Sequence, residues 1–178
     1  MMTPPVAAES LAVEALAPKE GPSLRFMLKH PAHVIALGLG TGLLRPGPGT
    51  GGTLGAWFAF VVLGAWISTA VWIGVILVAL AVGGWAAQRT GADLGRADHG
   101  AIVIDEIVAF WIVLLLVPAS LSAQALAFVV FRAFDIGKPP PIGAVDRRFK
   151  HGAGVMADDL IAAFYTLLVF AIGTRLWA

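Results

Sequence analysis

The sequence predicts an all-α fold, an integral membrane helical bundle, and three observations carry that prediction. Apolar residues fill 58% of the 178 positions and charged residues only 13%, about half the usual quarter. The charges are also segregated: none falls in Thr53–Ala87, Ile107–Phe131 or Leu160–Thr174. Those that remain gather in polar stretches at 9–45, 89–106, 132–159 and the last few residues. With a mean hydropathy of +0.86, such a chain cannot cover itself with a water-soluble surface. The same figures exclude disordered, collagen-like and coiled-coil classes. The absence of cysteine removes a disulfide scaffold, thiolate metal sites and a cysteine-nucleophile phosphatase. A net charge of +1 gives no reason to expect a nucleic-acid partner.

The elements follow in chain order. Residues 1–22 carry four prolines and read as a flexible tail, with a short helix from Ser10 to Ala17. Glu9, Glu14 and Glu20 interrupt it, so it does not read as a signal peptide. The tail is taken to residue 30, and residues 31–178 form one membrane domain. The first charge-free run is long enough for about 50 Å of helix, whereas a bilayer core is about 30 Å thick. The polar break at Ser68–Thr69 therefore predicts two helices in a hairpin, with Trp57, Trp66, Trp72 and Trp85 near their ends as interfacial anchors. In the second run Pro118, with Ser120, Ser122 and Gln124 after it, predicts two helical pieces near 105–117 and 122–134. The third run is a final span ending at Arg175 and Trp177.

The polar loops are too particular for plain connectors. GLGTGLLRPGPGTGGTLG, from Gly38 to Gly55, holds eight glycines, two prolines and three threonines. Such a loop can turn N–H groups toward an anion, and Thr53 is a candidate N-cap for the helix that follows. It lacks the Gly-Lys-Ser/Thr ending of a Walker A loop, and glycine-rich joints between membrane helices look similar. RADHGAIVIDEIV supplies Asp98, His99, Asp105 and Glu106; Asp98 and Asp105, seven apart, would share a face on one helix. Acids near a helix N-terminus also simply favour its dipole. In FRAFDIGKPPPIGAVDRRFKHGAGVMADDLI, Arg132, Asp135 and Lys138 are spaced along one helical face until Pro139–Pro141 end it. Arg147, Arg148 and Lys150 suit a turn beside lipid headgroups, and His151-Gly-Ala-Gly reads as a flexible joint before Asp158 and Asp159. Adjacent carboxylates repel unless a cation or a base attends them. Oxygen ligands without sulfur or clustered histidine favour Mg²⁺ or a similar cation. With arginine and lysine for phosphate oxygens, the set suits phosphoryl transfer or phosphate ester hydrolysis.

These segments resemble the phosphatidylglycerophosphatase A family. The resemblance rests on GLGTGLLRPGPGTGGTLG (38–55), DHGAIVIDEIV (98–108), FRAFDIGKPPPI (131–142) and HGAGVMADDLIA (151–162), present in the family's order. Gly47 departs from the family's alanine, and Thr41 and Thr53 stand where serine is common. The resemblance implies an all-helical, Mg²⁺-dependent phosphatase of the bacterial cytoplasmic membrane. It would remove the terminal phosphate of phosphatidylglycerol phosphate, with membrane lipid as its surroundings and its site facing the cytoplasm. On that basis Asp105, Glu106, Asp135, Asp158 and Asp159 are the expected metal ligands. Asp105, Glu106, Asp135, Arg132, Lys138 and Asp159 are the expected catalytic set. Thr50, Gly51, Thr53, Arg132 and Lys138 are expected to bind the phosphate. Asp135 would be a further ligand or the base that positions water, and His99 or His151 the proton donor to the leaving group. Attack by water and a phospho-aspartate intermediate both remain open.

Convergence of these loops forbids one helix from Glu106 to Arg132, whose ends would lie about 39 Å apart. A break at Pro118 resolves this by a re-entrant or protein-buried hairpin. Two other readings stay in view, another lipid-phosphate enzyme and a small cation-coupled transporter. A transporter would carry its acids inside the spans rather than at their ends. A transferase of the CDP-alcohol type would show Asp-x-x-Asp-Gly-x-x-Ala-Arg, which is absent.

Overall fold

The computed structural model describes residues 21–140, 142 and 152–176, and every element among them is helical. Two short helices, α1 (Leu24–Met27) and α2 (Pro31–Ala36), precede a 3₁₀ segment at Gly38–Leu43. Five longer helices follow: α3 (Pro48–Leu63), α4 (Thr69–Asp93), α5 (Ile104–Leu116), α6 (Leu121–Gly137) and α7 (Gly152–Leu176). Their connections at 64–68 and 117–120 make two helical hairpins. The start of α3, the end of α4, the start of α5 and the end of α6 therefore lie at one end of the bundle.

Both predicted hairpins form, for local reasons. Ser68 caps α4 by accepting from the Val71 N–H, and Ser120 caps α6 by accepting from the Ala123 N–H. Pro118 cannot continue α5, which ends at Leu116. In the second hairpin α5 is buried in the protein, whereas α6 keeps an exposed apolar face with Leu121, Leu126 and Val129. Helix α5 is the centre of the bundle, packed by α3, α4, α6 and α7, with Val108, Ala109, Phe110 and Val113 fully buried.

Several boundaries differ from expectation. Helix α4 runs past Ala87 to Asp93 because Arg89 and Asp93, one turn apart, pair at 2.9 Å and continue the helix into the polar layer. Helix α6 has 17 residues, more than the 13 expected, since nothing between Leu121 and Gly137 opposes helix. Residues 24–27, assigned to the tail by sequence, form α1, capped by Ser23 and anchored by buried Met27. Residues 1–20, where the Ser10–Ala17 helix was expected, lie outside the described residues.

Helices α4 and α7, at 25 residues each, are long and apolar enough to cross a membrane. Large apolar side chains are exposed along them, including Ile73, Leu77 and Val78 on α4 and Phe164, Leu168 and Ile172 on α7. That surface suits lipid rather than water. The tryptophans divide. Trp66 and Trp85 are exposed at opposite ends of the bundle, as interfacial anchors are. Trp72 instead is buried against Phe60 and Trp111, a core role that its place near a helix end did not disclose.

Candidate active site

The polar end of the bundle is built by close backbone approach. Gly38 adopts φ +53, and its Cα faces Val103 and Ile107 so closely that a side chain there would collide with both. The Val103 N–H donates to the Ala36 carbonyl at 2.9 Å. These contacts hold the strand of chain before α5 against the glycine-rich segment and fix where α5 begins. Its first turn then carries Asp105 and Glu106, and Asp105 accepts from the Glu106 N–H at 3.1 Å.

Three carboxylates meet there. Asp105, Glu106 and Asp159 each offer an oxygen, and the three lie within 4.8 Å of one another. Asp105 and Asp159 are buried, and the Glu106 side chain is 13% exposed. Asp159 also lies beside Asp135 and Asp158. Arg132, from α6, completes the group: its guanidinium pairs tightly with Asp135, reaches Glu106 at 3.6 Å and approaches the Thr53 hydroxyl at 3.5 Å. Buried like charges at this spacing are stable only with compensating positive charge, and Arg132 supplies one unit against several acids. The Glu106 Oε2 atom is buried with no protein partner. A cluster of hard oxygens with an unsatisfied one among them fits a divalent cation.

The remaining expected residues are placed differently. Asp158 turns to Lys138, with Nζ to Oδ2 at 2.9 Å, and stands outside the three-carboxylate group. Lys138 caps α6 in the left-handed conformation, φ +40, so it has left the helical face it was expected to share with Arg132 and Asp135. Asp158 and Asp159 do not open their helix: the described helix α7 runs from Gly152, so Gly152–Gly154 of the expected joint are helical. Asp98 lies in the loop before α5 and shares no helix with Asp105. Thr53 is not the N-cap of α3, which starts at Pro48. It sits in the second turn, donating to the Gly49 carbonyl at 2.9 Å. Gly51 faces Leu44 and its N–H is committed to the Gly47 carbonyl at 2.9 Å, which leaves it no donor for phosphate. Thr50 is half-buried in the first turn, beside Gly47. His99 lines a separate cavity of about 210 Å³ with Arg45 and Pro48, and accepts from the Ala101 N–H at 3.2 Å. That contact leaves Nε2 as the protonated nitrogen of the neutral ring. Burial and the neighbouring Arg96 charge hold the His99 pKa below its ordinary value. His151 and the Arg147, Arg148 and Lys150 cluster lie outside the described residues.

Two participants were not found from the sequence. Gly49 faces the cluster so closely that a Cβ would strike Glu106 Oε1 and crowd the Arg132 guanidinium. The Pro-Gly-Thr sequence at a helix start was the available signal, since proline at N1 places the next two residues in the first turn. The second is His33, buried between Asp93 at 2.9 Å and the Phe26 carbonyl at 3.1 Å, which ties α2 to α4. Sixty residues separate His33 from Asp93 in sequence, so no local pattern could reveal the pair.

Fold and cluster together define a membrane helical protein with a cation-competent acidic site at the polar end of its bundle. The phosphatidylglycerophosphatase A family model matches residues 34–173. Two relatives described as phosphatidylglycerophosphatase A are similar over most of the chain. The one from Haemophilus influenzae is 40% identical, covering 86% of this chain and 96% of its own. The one from Escherichia coli is 36% identical, covering 78% of this chain and 80% of its own. A candidate phosphatidylinositol-3-phosphatase from Bacteroides thetaiotaomicron is also 36% identical, covering 78% of this chain and 91% of its own. No solved structure matches the chain. The chain belongs to the phosphatidylglycerophosphatase A family, and it is a phosphatase.

Proposed function

We propose that this protein hydrolyses the terminal phosphate monoester of phosphatidylglycerol phosphate, giving phosphatidylglycerol and phosphate, with Mg²⁺ as its cation. The observation that carries this reading is the meeting of Asp105, Glu106 and Asp159 beside Arg132, at the polar end of a bundle with an apolar outer surface. Asp105, Glu106 and Asp159 would hold the cation, with Asp135 and Asp158 beside them. When bound, such an ion polarises phosphoryl oxygens and lowers the pKa of water.

The chain's own residues supply the rest. In the reaction a water oxygen bonds to phosphorus, the bond from phosphorus to the glycerol oxygen breaks, and that oxygen takes up a proton. Arg132 is aimed into the cluster by Asp135 and Thr53, and its planar fork matches two phosphate oxygens as charge builds on them. Asp135 is therefore a positioning residue for Arg132 and Asp159. Thr50, in the first turn of α3, and Lys138, paired with Asp158, would supply the further contacts to the phosphate. His99 is set apart in the Arg45 cavity and serves the local backbone rather than the leaving group.

The site faces the cytoplasm of a bacterial inner membrane in this reading. Lys29, Arg45, Arg89, Arg96, Arg132 and Lys138 lie toward the site end of the bundle, whereas the turns at 64–68 and 117–120 carry no charge and Arg175 stands at the far end of α7. That asymmetry is the positive-inside pattern.

Phosphate release from phosphatidylglycerol phosphate by the detergent-purified protein, with Mg²⁺ and with EDTA, tests the reading. Release that requires the metal, with phosphatidic acid and phosphatidylinositol 3-phosphate turned over poorly, is the expected result. No release from phosphatidylglycerol phosphate by folded protein would refute the substrate, and release in EDTA would refute the cation.

A further inference from the structure

We propose that the seam between α3 and α6 is the track on which the lipid lies, its phosphate at the acidic cluster and one acyl chain in an apolar cavity lower down. This rests on the lipid-phosphate reading above and adds where the tail goes.

Gly49, Thr53, Trp57 and Val61 are each four residues apart and form one row along α3. The chemistry along that row changes in the order a phospholipid requires. Gly49 faces Glu106 and Arg132, and Thr53 meets Arg132 one turn lower. At Trp57 the row turns apolar: the indole packs 5.9 Å from the Phe128 ring, centroid to centroid. Below it Val61 lines a cavity of about 270 Å³ with Leu54, Trp57, Phe58 and Leu121. The row spans about 18 Å, from the polar end toward the far end of the bundle.

Gln124 explains how the middle of the track is fixed. It is a buried amide in the apolar half of α6, a position that is unfavourable without a hydrogen bond. Its carbonyl oxygen accepts from Trp57 Nε1 at 2.8 Å, so the indole is held in one orientation between the headgroup half and the chain half. Leu54, Phe58, Val61 and Leu121 remain exposed, which leaves the lower half open sideways to the bilayer. A larger apolar groove of about 620 Å³ includes Ile35, Val75 and Val78 on the α4 side of α5. No residue of α3 or α6 lines it, so it lies off the row that carries Gly49 and Thr53, whereas the smaller cavity shares Trp57 and Val61 with that row.

Val61→Trp fills the cavity from an exposed position and leaves the catalytic cluster untouched. Its kinetics would be compared on dioleoyl phosphatidylglycerol phosphate in micelles and on the deacylated headgroup. The expected result is a loss of kcat/KM on the lipid of about tenfold, the worth of two buried methylenes, carried by KM, with headgroup hydrolysis unchanged. Unchanged lipid kinetics, or equal losses on both substrates, would overturn the track. Independently, the same lipid bearing a photoreactive acyl chain should label α3 and α6 peptides in the wild type and lose that labelling in Val61→Trp. Labelling around Val75 and Val78 instead, in a protein active on the lipid, would overturn the track alone. A wild type inert on the lipid would overturn the substrate reading and the track with it.

Discussion

Asp105 and Asp159 show how far one residue's chemistry depends on its neighbours. Each is buried beside other acids, and a bound cation would relieve the repulsion that Arg132 alone leaves uncompensated. Asp105→Ala or Asp159→Ala should therefore lower phosphate release by about a hundredfold or more. The isosteric Asp159→Asn should unfold in EDTA at a higher temperature than the wild type, because one of the opposed charges is gone. A fall in unfolding temperature would contradict mutual repulsion at the cluster. Gly49→Ala tests close approach: its methyl must displace Glu106, so activity should fall about a hundredfold while the helix itself, which tolerates alanine, persists. His99 offers a pH-dependent readout. Its ring should titrate below the ordinary 6.5, measured by histidine NMR. Because the unfolded chain then binds the proton more readily, stability should rise with pH in the window just below 6.5, and His99→Asn should flatten that rise.

At the scale of elements, helix boundaries follow from local chemistry while helix partners do not. Pro118 and the Ser68 and Ser120 caps are visible as letters, and the two hairpins form where they predict. The start of α3 was less legible because Thr53 resembles an N-cap, but Pro48 at N1 opens the helix five residues earlier. The start of α7 was hidden by Gly152 and Gly154, which read as a joint although the packed helix incorporates them. Contacts between elements are long-range and testable. Gln124→Leu leaves the Trp57 N–H without its acceptor and should destabilise the α3–α6 seam by about 1–3 kcal/mol, read by thermal unfolding in detergent.

For the whole molecule, the gathering of acids at one end predicts that folding is coupled to the proposed metal binding. A divalent cation that binds the folded cluster and not the dispersed acids of the unfolded chain should raise the unfolding temperature with the logarithm of its concentration above Kd. That shift should vanish in Asp105→Ala, a readout independent of turnover.

The class of the protein was written in the sequence alone, because lipid requires long uncharged runs and the acids could only lie between them. The resemblance carried by the sequence motifs also grouped Asp105, Glu106, Arg132 and Asp159, together with Asp135, Asp158 and Lys138, as one expected site. Tertiary structure decided which acids share a cation-sized space and which are diverted. Asp158 belongs to Lys138, Asp135 to Arg132, and Gly51 to its own helix. Sequence spacing specifies the face of a helix, but the direction a side chain takes at the end of one is set by what packs against it. Gly49 against Glu106 and Trp57 against Gln124 arise only when α3, α5 and α6 are brought side by side.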